Sequence, residues 1–335
     1  MTFRPIEDLA WVAVTDPAAP GALRLLAERA ARDVGFDAAR SADVALAMTE
    51  AASNLERHAR DGAISLQVLR DGEAAGLRFI AVDRGPGMAN TEAARSDGYS
   101  TRGTLGIGLG AIERLASDSD MHSVPGRGTV LVATFWPRGA PAQQEAAAIT
   151  RPITGEEACG DAYAERADGA LRRHLLVDGL GHGPLAAVAA NTAVQLFGEA
   201  PPGPPARLLE WMHARMGGTR GAAAAIAEVD RANGLARFAG VGNISGWIHD
   251  GERRRGMLSH PGILGHQARK FADFDYELPM GASVVLHSDG LTEKWDLADY
   301  PGLPRRHPVL TAATLLRDAG IRHDDASIAV LRATA

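Results

Sequence analysis

Residues 174–184 read His-Leu-Leu-Val-Asp-Gly-Leu-Gly-His-Gly-Pro, a short apolar strand that runs into an Asp-Gly turn. Asp followed by Gly is common turn chemistry, so this pair alone has a purely structural explanation. Acidic residues also flank apolar runs in 283–293 (SVVLHSDGLTE) and 323–327 (HDDAS), and Asp161 follows a glycine. Strand ends that meet at one edge of a sheet would cluster these carboxylates, which is unfavourable unless a divalent cation neutralises them. Because Cys159 is the single cysteine, a cysteine-based zinc site is excluded, and oxygen ligands favour Mg²⁺ or Mn²⁺.

A second group of motifs lies in the N-terminal half. Glu50 and Asn54 are four residues apart in a stretch with helical spacing, so their side chains share one helix face. A carboxylate beside an amide oxygen suits a hydrated magnesium ion, or a base next to a metal. Residues 83–88 (DRGPGM) follow a predicted strand, and the glycine-rich run 98–110 leads into a predicted helix. Glycine-rich backbone at a helix N-terminus presents N–H groups to phosphates, so these motifs together predict a nucleotide site.

The chain has 335 residues, which suggests two domains of ordinary size. Pro, Gly, Ala and Gln crowd together near residue 140, and we therefore predict domains at 1–137 and 151–335 with a linker at 138–150. Both halves read as mixed α and β, which makes the fold class α/β (α+β). The net charge of −6 argues against a nucleic-acid partner. Neither a signal peptide nor a membrane-spanning run is visible, so we expect a cytoplasmic protein with no membrane association.

The order of the N-terminal motifs resembles the GHKL ATPase family over residues 1–137, with a Bergerat α/β sandwich. The run 98–115 (GYSTRGTLGIGLGAIERL) is most similar to the anti-sigma-factor serine kinases of the stressosome, the RsbT-like group. This resemblance implies that ATP binds with Mg²⁺, that Glu50 is the general base on a protein hydroxyl, and that Asn54 is an Mg²⁺ ligand. Asp83 would bind the adenine amine. The other nucleotide-binding residues implied are Gly85, Gly87, Gly106, Gly108, Gly110 and Thr129.

The C-terminal motifs resemble the metal-dependent serine/threonine phosphatases of the SpoIIE type, including the compact RsbX-like members, over roughly residues 150–335. That family implies an αββα sandwich and two divalent metals, Mn²⁺ or Mg²⁺. Asp178 would bridge the metals and act catalytically, and the Gly179 carbonyl would bind one of them. The remaining metal ligands implied are Asp161, Asp289 and Asp324. Asp325 is the less favoured ligand of its pair. His182 is a candidate general acid, although a structural hydrogen bond or a product-side role is favoured for it.

The two resemblances together predict a bifunctional enzyme. The kinase half would phosphorylate, and the phosphatase half would dephosphorylate, STAS-domain antagonist proteins in sigma-factor or stress signalling. An alternative makes the GHKL half a non-catalytic module that sequesters a sigma factor or a STAS partner. In a third hypothesis, nucleotide binding gates the phosphatase. The partners expected are therefore STAS-domain proteins, with a sigma factor or a stressosome-like complex as further candidates.

Overall fold

A computed structural model describes residues 2–5, 7–72, 74–91, 108–139, 146–168 and 171–333. The chain divides into two compact units. One unit spans Glu7–Gln143, and the other combines the first six residues with Gln144–Ala335. Each unit has its own sheets and helices, and each is described here by itself.

The unit Glu7–Gln143 places helices on one face of an antiparallel sheet. Its helices are α1 (Ala19–Asp33), α2 (Ala38–His58) and α3 (Gly108–Leu115). Its strands are β2 (Glu7–Ala13), β3 (Ala63–Asp71), β4 (Ala74–Val82), β5 (Asp118–Val124) and β6 (Gly128–Phe135). The strand order in this five-stranded sheet is β2-β3-β4-β6-β5. The helices and the sheet enclose one apolar core.

Helix α2 carries the predicted Glu50 and Asn54, so its start and its buried face fix where they point. The sequence alone offers Ser41 as a candidate N-cap of this helix. In the structure the N-cap is Asp37, four residues earlier, and its side chain accepts a hydrogen bond from Arg40 N at 2.6 Å. Asp is among the best N-cap residues because its carboxylate satisfies an orphan backbone N–H. The prediction placed Ser41 at the cap because the apolar spacing becomes visible only at Val44, which is fully buried.

The second unit is a sandwich of two sheets with helices outside both. Its helices are α4 (Pro184–Glu199), α5 (Pro205–His213) and α6 (Pro308–Ala319). Its strands are β1 (Thr2–Pro5), β7 (Ala146–Arg151), β8 (Asp161–Asp168), β9 (Leu171–Gly179), β10 (Ala222–Asp230), β11 (Leu235–Val241), β12 (Ser245–His249), β13 (Arg254–Met257), β14 (Phe274–Glu277), β15 (Ser283–His287) and β16 (Ala326–Arg332).

The two sheets of this unit have the orders β1-β8-β9-β10-β11-β14 and β13-β12-β15-β16-β7. One apolar core fills the space between the sheets, and another lies between the first sheet and helices α4 and α5. Helix α6 packs on β7 and β16 of the second sheet. This layering is the αββα arrangement, and the α/β fold class predicted from sequence is confirmed.

Two parts of the predicted boundaries differ from the structure, namely the last residues of the linker at 138–150 and the first residues of the N-terminal domain at 1–137. Strand β7 begins inside the stretch predicted as a linker at 138–150, and it pairs with β16. Residues 147–149 are fully buried, and a fully buried strand shows a continuous apolar run rather than alternation, so its composition resembled a connector. At the other end, β1 pairs antiparallel with β8, with Thr2 opposite Ala167, and so belongs to the sandwich unit.

Candidate functional site

The N-terminal unit contains a cavity of about 590 Å³ between α2 and the ends of β4 and β6. Apolar side chains such as Leu55, Met121 and Leu131 form much of its wall. Mostly apolar walls with a few polar groups are typical of a small-molecule site. Five of the residues predicted to bind nucleotide line this cavity, namely Asn54, Asp83, Gly87, Gly108 and Thr129.

Asp83 is the most constrained polar residue of the cavity. It comes directly after β4 and is 9% exposed. Its Oδ1 accepts a hydrogen bond from Gly85 N at 2.6 Å, and its Oδ2 accepts one from Thr129 N at 3.2 Å. The Asp83 backbone N–H also donates to the Thr129 carbonyl at 2.9 Å. The carboxylate is therefore held in one orientation at the cavity wall.

Two glycines, one in the turn after β4 and one at the start of β6, are required because other backbone segments approach them closely. Gly87 has φ +65°, and a Cβ there would collide with the Val124 carbonyl. Gly128 has φ +87°, and a Cβ there would collide with the Asp83 carbonyl. Side chains at these positions would be both strained and obstructed. The turns after β4 and before β6 therefore interlock at the rim of the cavity.

The other predicted nucleotide residues are distributed unevenly. Glu50 and Asn54 are both half-buried on α2, one turn apart, but only Asn54 lines the cavity. Gly85 and Gly110 also lie outside the cavity lining, and Gly110 is buried in the first turn of α3. Gly106 lies outside the described residues.

The four predicted carboxylate ligands of the sandwich unit come together at one end of it. Asp161 begins β8 and stands directly opposite Asp178 of β9 in the strand register. Asp289 follows β15, and Asp324 precedes β16, so each sheet of the sandwich supplies two carboxylates. Asp178 shares a side-chain hydrogen bond with Asp289 and is close enough to Asp324 to feel its charge. The structure therefore brings these four carboxylates together at one end of the sandwich, where the sequence pattern predicts them.

Burial and mutual repulsion shift the acidity of these groups. Burial, and after it the charges of Asp161, Asp289 and Asp324, raises the pKa of Asp178 to about 9. Burial also raises the pKa of Asp161 to about 7, against the opposing effect of its hydrogen bond from Ser288. The pKa of Asp324 is raised as well, by burial and then by Asp289. Bound protons or a cation would relieve this repulsion.

The donor set fits a divalent cation. Asp161 is buried, and its Oδ2 accepts a hydrogen bond from Ser288 Oγ at 2.6 Å, whereas its Oδ1 has no hydrogen-bond partner among the residues that the structure describes. A buried carboxylate oxygen without a partner is costly, and a hard cation would satisfy it. Among the described residues, however, no group of three or more acidic, His or Cys side chains has the spacing needed to hold a metal ion, so the fit rests on the chemistry of the donor atoms and not on a preformed coordination shell. Gly179, between Asp178 and the next loop, has no room for a side chain because a Cβ would collide with the Ala186 carbonyl.

The neighbours of the cluster have separate structural tasks. Asp325 accepts hydrogen bonds from Ile153 N at 2.7 Å and from Gly160 N at 2.8 Å, so its two oxygens already have backbone partners. His182 Nδ1 lies 3.3 Å from Glu156 Oε1. Asp324 differs from Asp325 in that its Oδ1 accepts one backbone hydrogen bond, from Asp325 N at 2.9 Å.

Two supporting residues were missed from the sequence. Asn243 Nδ2 donates to Asp289 Oδ2 at 2.6 Å, and Ser288 joins Asp161 of one sheet to the turn after β15 of the other. Ser288 directly precedes the predicted ligand Asp289, and this polar neighbour was the available signal in the sequence. Asn243 ends a Gly-Val-Gly-Asn turn at 240–243, far along the chain from any predicted ligand.

Across the described residues, no helix is both long enough and apolar enough to cross a membrane.

Comparison with known proteins matches each unit to a different family. Residues 13–135 match the family described as Histidine kinase-like ATPase domain, and residues 172–334 match Stage II sporulation protein E (SpoIIE). The chain is 36% identical over 117 residues to the serine/threonine-protein kinase RsbT of Bacillus subtilis (strain 168). The matched region is 35% of this chain and 88% of RsbT.

Two solved structures are also similar. The first comes from work on the bacterial stressosome, described as a modular system that has been adapted to control secondary messenger signaling. It is 32% identical to this protein, with a TM-score of 0.52, and the match covers 57% of this chain and 100% of that chain. RsbX in complex with magnesium is 22% identical with a TM-score of 0.50, covers 56% of this chain and 96% of its own, and shows likeness of fold alone.

These matches confirm both resemblances and the expectation of an enzyme. The chain belongs to the RsbT-like group of the histidine kinase-like ATPase family through its N-terminal part, and its C-terminal part is a SpoIIE-type serine/threonine phosphatase domain.

Proposed function

We propose that this chain is a bifunctional regulator of a protein partner switch. The N-terminal unit phosphorylates a serine or threonine of a STAS-domain protein, and the C-terminal unit removes phosphate from the same or a related protein. The observation that carries the proposal is the presence, in one chain, of an RsbT-like unit with a 590 Å³ cavity and a SpoIIE-type unit with a four-carboxylate cluster. Tethering the two raises the effective concentration of one site near a partner bound at the other.

In the kinase half, the residues have the roles that the family resemblance implies. Asp83 binds the exocyclic amine of adenine, and its fixed carboxylate at the cavity wall supports that role. Asn54 lines the cavity and is assigned to Mg²⁺, while Glu50 one turn away is assigned as the base on the protein hydroxyl. The remaining assignments to ATP are Gly85, Gly87, Gly106, Gly108, Gly110 and Thr129.

In the phosphatase half, Asp161, Asp178, Asp289 and Asp324 hold divalent cations, with the Gly179 carbonyl as a further ligand. The partnerless Asp161 Oδ1 and the raised pKa of Asp178 support this assignment. When bound, two divalent cations supply positive charge and a water acidic enough to attack phosphorus. Mg²⁺ and Mn²⁺ both suit an all-oxygen donor set. Ser288 and Asn243 orient the carboxylates of Asp161 and Asp289.

The partner is assigned to the STAS class, with a sigma factor or a stressosome-like complex as the wider setting. The similarity to RsbT and to a chain from the bacterial stressosome supports this setting. A circuit that consumes ATP to modify such partners operates in the cytoplasm.

The test uses the full chain with ATP, Mg²⁺ and a purified STAS-domain protein from the same genome. Phosphate transfer is expected to be lost in Glu50→Ala and Asn54→Ala and retained in the control Glu56→Ala, which changes an exposed carboxylate of the same helix. Transfer that survives Glu50→Ala contradicts the kinase assignment. Dephosphorylation of the purified phosphoprotein is expected to be lost in Asp178→Ala, and activity that survives this change or metal removal contradicts the phosphatase site.

One observation favours a second candidate. Glu50 is absent from the lining of the cavity, as a nucleotide-binding module without phosphotransfer would allow. In that case the GHKL half gates the phosphatase or sequesters a partner. A phosphatase rate that changes with a non-hydrolysable ATP analogue, together with no label transferred from γ-labelled ATP, would support gating over kinase activity.

A further inference from the structure

Arg220 lies at the same sheet edge as the carboxylate cluster. It comes two residues before β10, whose first residue, Ala222, pairs with Gly179 at the end of β9. The pairing continues one step further, because Leu180 N donates to the Gly221 carbonyl at 3.0 Å. Arg220 therefore directly precedes Gly221, whose carbonyl oxygen contacts the backbone of the loop after Asp178.

The Arg220 side chain extends along that loop. A methyl group placed on Gly181 would lie 3.1 Å from Arg220 Nη1, so the guanidinium lies against the Gly181 backbone. Gly181 has φ +87°, a conformation that side chains rarely adopt. Gly181 therefore leaves open the space that the guanidinium uses, three residues beyond Asp178.

The backbone that carries Arg220 is fixed on both sides. Thr219 Oγ1 donates to the Met216 carbonyl at 2.9 Å and accepts from Gly221 N at 3.0 Å. His266 Nε2 lies 2.8 Å from the Thr219 carbonyl. These hydrogen bonds fix the backbone next to Arg220, and none of them involves the guanidinium group.

Within the part of the chain that the structure describes, the charge of Arg220 has no protein partner. Arg220 is exposed, and among the described residues no carboxylate or carbonyl oxygen accepts a hydrogen bond from it or pairs with it. Four carboxylates bring four negative charges to the neighbouring cluster, and two divalent cations would balance them, leaving nothing to offset a phosphoryl dianion. Arginine is always charged, and its planar fork matches two oxygens of a phosphoryl group.

We propose that Arg220 binds the non-bridging phosphoryl oxygens of the phosphoserine or phosphothreonine substrate at the carboxylate cluster. Arg220 then contacts substrate rather than metal and contributes mainly to the affinity for the phosphoryl group. The proposal depends on the phosphatase activity alone, and it holds whichever protein carries the phosphate and whether or not the kinase half turns over.

The test compares the Mn²⁺-loaded full chain with Arg220→Ala and Arg220→Lys. The matched control is Arg207→Ala, because Arg207 is an exposed arginine of the same unit that is paired with Glu210. The substrate is a phosphoserine peptide, and binding of inorganic phosphate is measured by calorimetry. Charged hydrogen bonds of this kind correspond to losses of about 10- to 100-fold, so Arg220→Ala should raise KM and weaken phosphate binding by that factor.

Arg220→Lys should recover part of that loss, because it keeps the charge without the fork. Mn²⁺ affinity and the melting temperature in EDTA should match those of the Arg207→Ala control. Unchanged phosphate affinity in Arg220→Ala overturns the proposal. A loss of Mn²⁺ affinity in both Arg220 variants also overturns it, because it assigns Arg220 to the support of the metal loop. Absence of hydrolysis by the wild-type chain would instead count against the phosphatase site itself.

Discussion

Replacing Asp178 by asparagine is expected to stabilise the metal-free protein while abolishing the phosphatase. Burial and the charges of Asp161, Asp289 and Asp324 raise the pKa of the Asp178 carboxyl to about 9. Asparagine has nearly the same shape and carries no charge, so it imitates the protonated form that the cluster favours. The same change removes the proposed metal ligand.

The sign and the size of the expected change in the free energy of unfolding follow from the linkage between proton binding and folding. A carboxyl whose folded-state pKa exceeds its unfolded value contributes stability that is fully present below about pH 4 and is lost as the pH rises through the folded-state value. For Asp178 that value is about 9. At about pH 7 the folded protein keeps this carboxyl protonated while the unfolded chain ionises it, and this costs at most ~4 kcal/mol of stability, at 1.36 kcal/mol per pH unit above the unfolded pKa. Asp178 is half-buried, and solvent relaxation halves this to ~2 kcal/mol, or about 4–8 °C in melting temperature.

The assay is scanning calorimetry of the full chain in EDTA at about pH 5, 7 and 9. Asp178→Asn should melt above the wild type at the two higher values and converge with it at the lowest. Glu199→Gln, at the exposed end of α4, is the matched control and should show no such dependence. In saturating Mn²⁺ the order should reverse, because only the wild type gains the free energy of metal binding. A variant that melts below the wild type in EDTA at about pH 7 would refute the repulsion argument.

Three further changes test other parts of the structure. His174 is buried with the Tyr163 hydroxyl 2.7 Å from its Nδ1, and burial lowers its pKa to about 3. The neutral ring therefore contributes stability that is present above about pH 6.5 and lost as the pH falls towards the folded-state value, and His174→Gln should flatten this acid limb in circular-dichroism melts. Gly128→Ala should destabilise the N-terminal unit in urea titrations by about 2–4 kcal/mol, whereas Gly126→Ala, with positive φ but open space, should cost about 1 kcal/mol. Asp83→Ala should weaken binding of a fluorescent ATP analogue by at least about 10-fold, and unchanged affinity would remove Asp83 from the nucleotide site.

The carboxylate cluster could be predicted because its signal is local. Asp178, Asp289 and Asp324 each stand beside a strongly apolar strand, Asp161 begins a strand after a glycine, and the geometry of a sandwich brings such strand ends together. Asp161 and Asp178 face each other in register for this reason. Ser288, Asn243 and the Arg220 guanidinium were missed, because their contacts depend on which turns meet across the sheets and not on any periodic pattern.

The boundaries were harder to predict for a different reason. The run Ala146–Ile149 has no alternation, since a strand covered on both faces needs none, and it was read as a linker. Strand β1 pairs with β8, which lies more than 150 residues further along the chain. No local sequence pattern in Thr2–Pro5 predicts that pairing. The Asp37 cap was overlooked because the apolar face of α2 becomes regular only after its first turn.

The central claim is that one chain both adds phosphate to a protein partner and removes it. The most direct measurement follows label from γ-labelled ATP onto a purified STAS-domain protein from the same genome over time, in the presence of wild type, Glu50→Ala or Asp178→Ala. The account predicts a low steady level with continuous phosphate release for the wild type, accumulation of phosphoprotein with Asp178→Ala, and no label with Glu50→Ala. Equal labelling by the wild type and by Glu50→Ala, or no accumulation with Asp178→Ala, would contradict it.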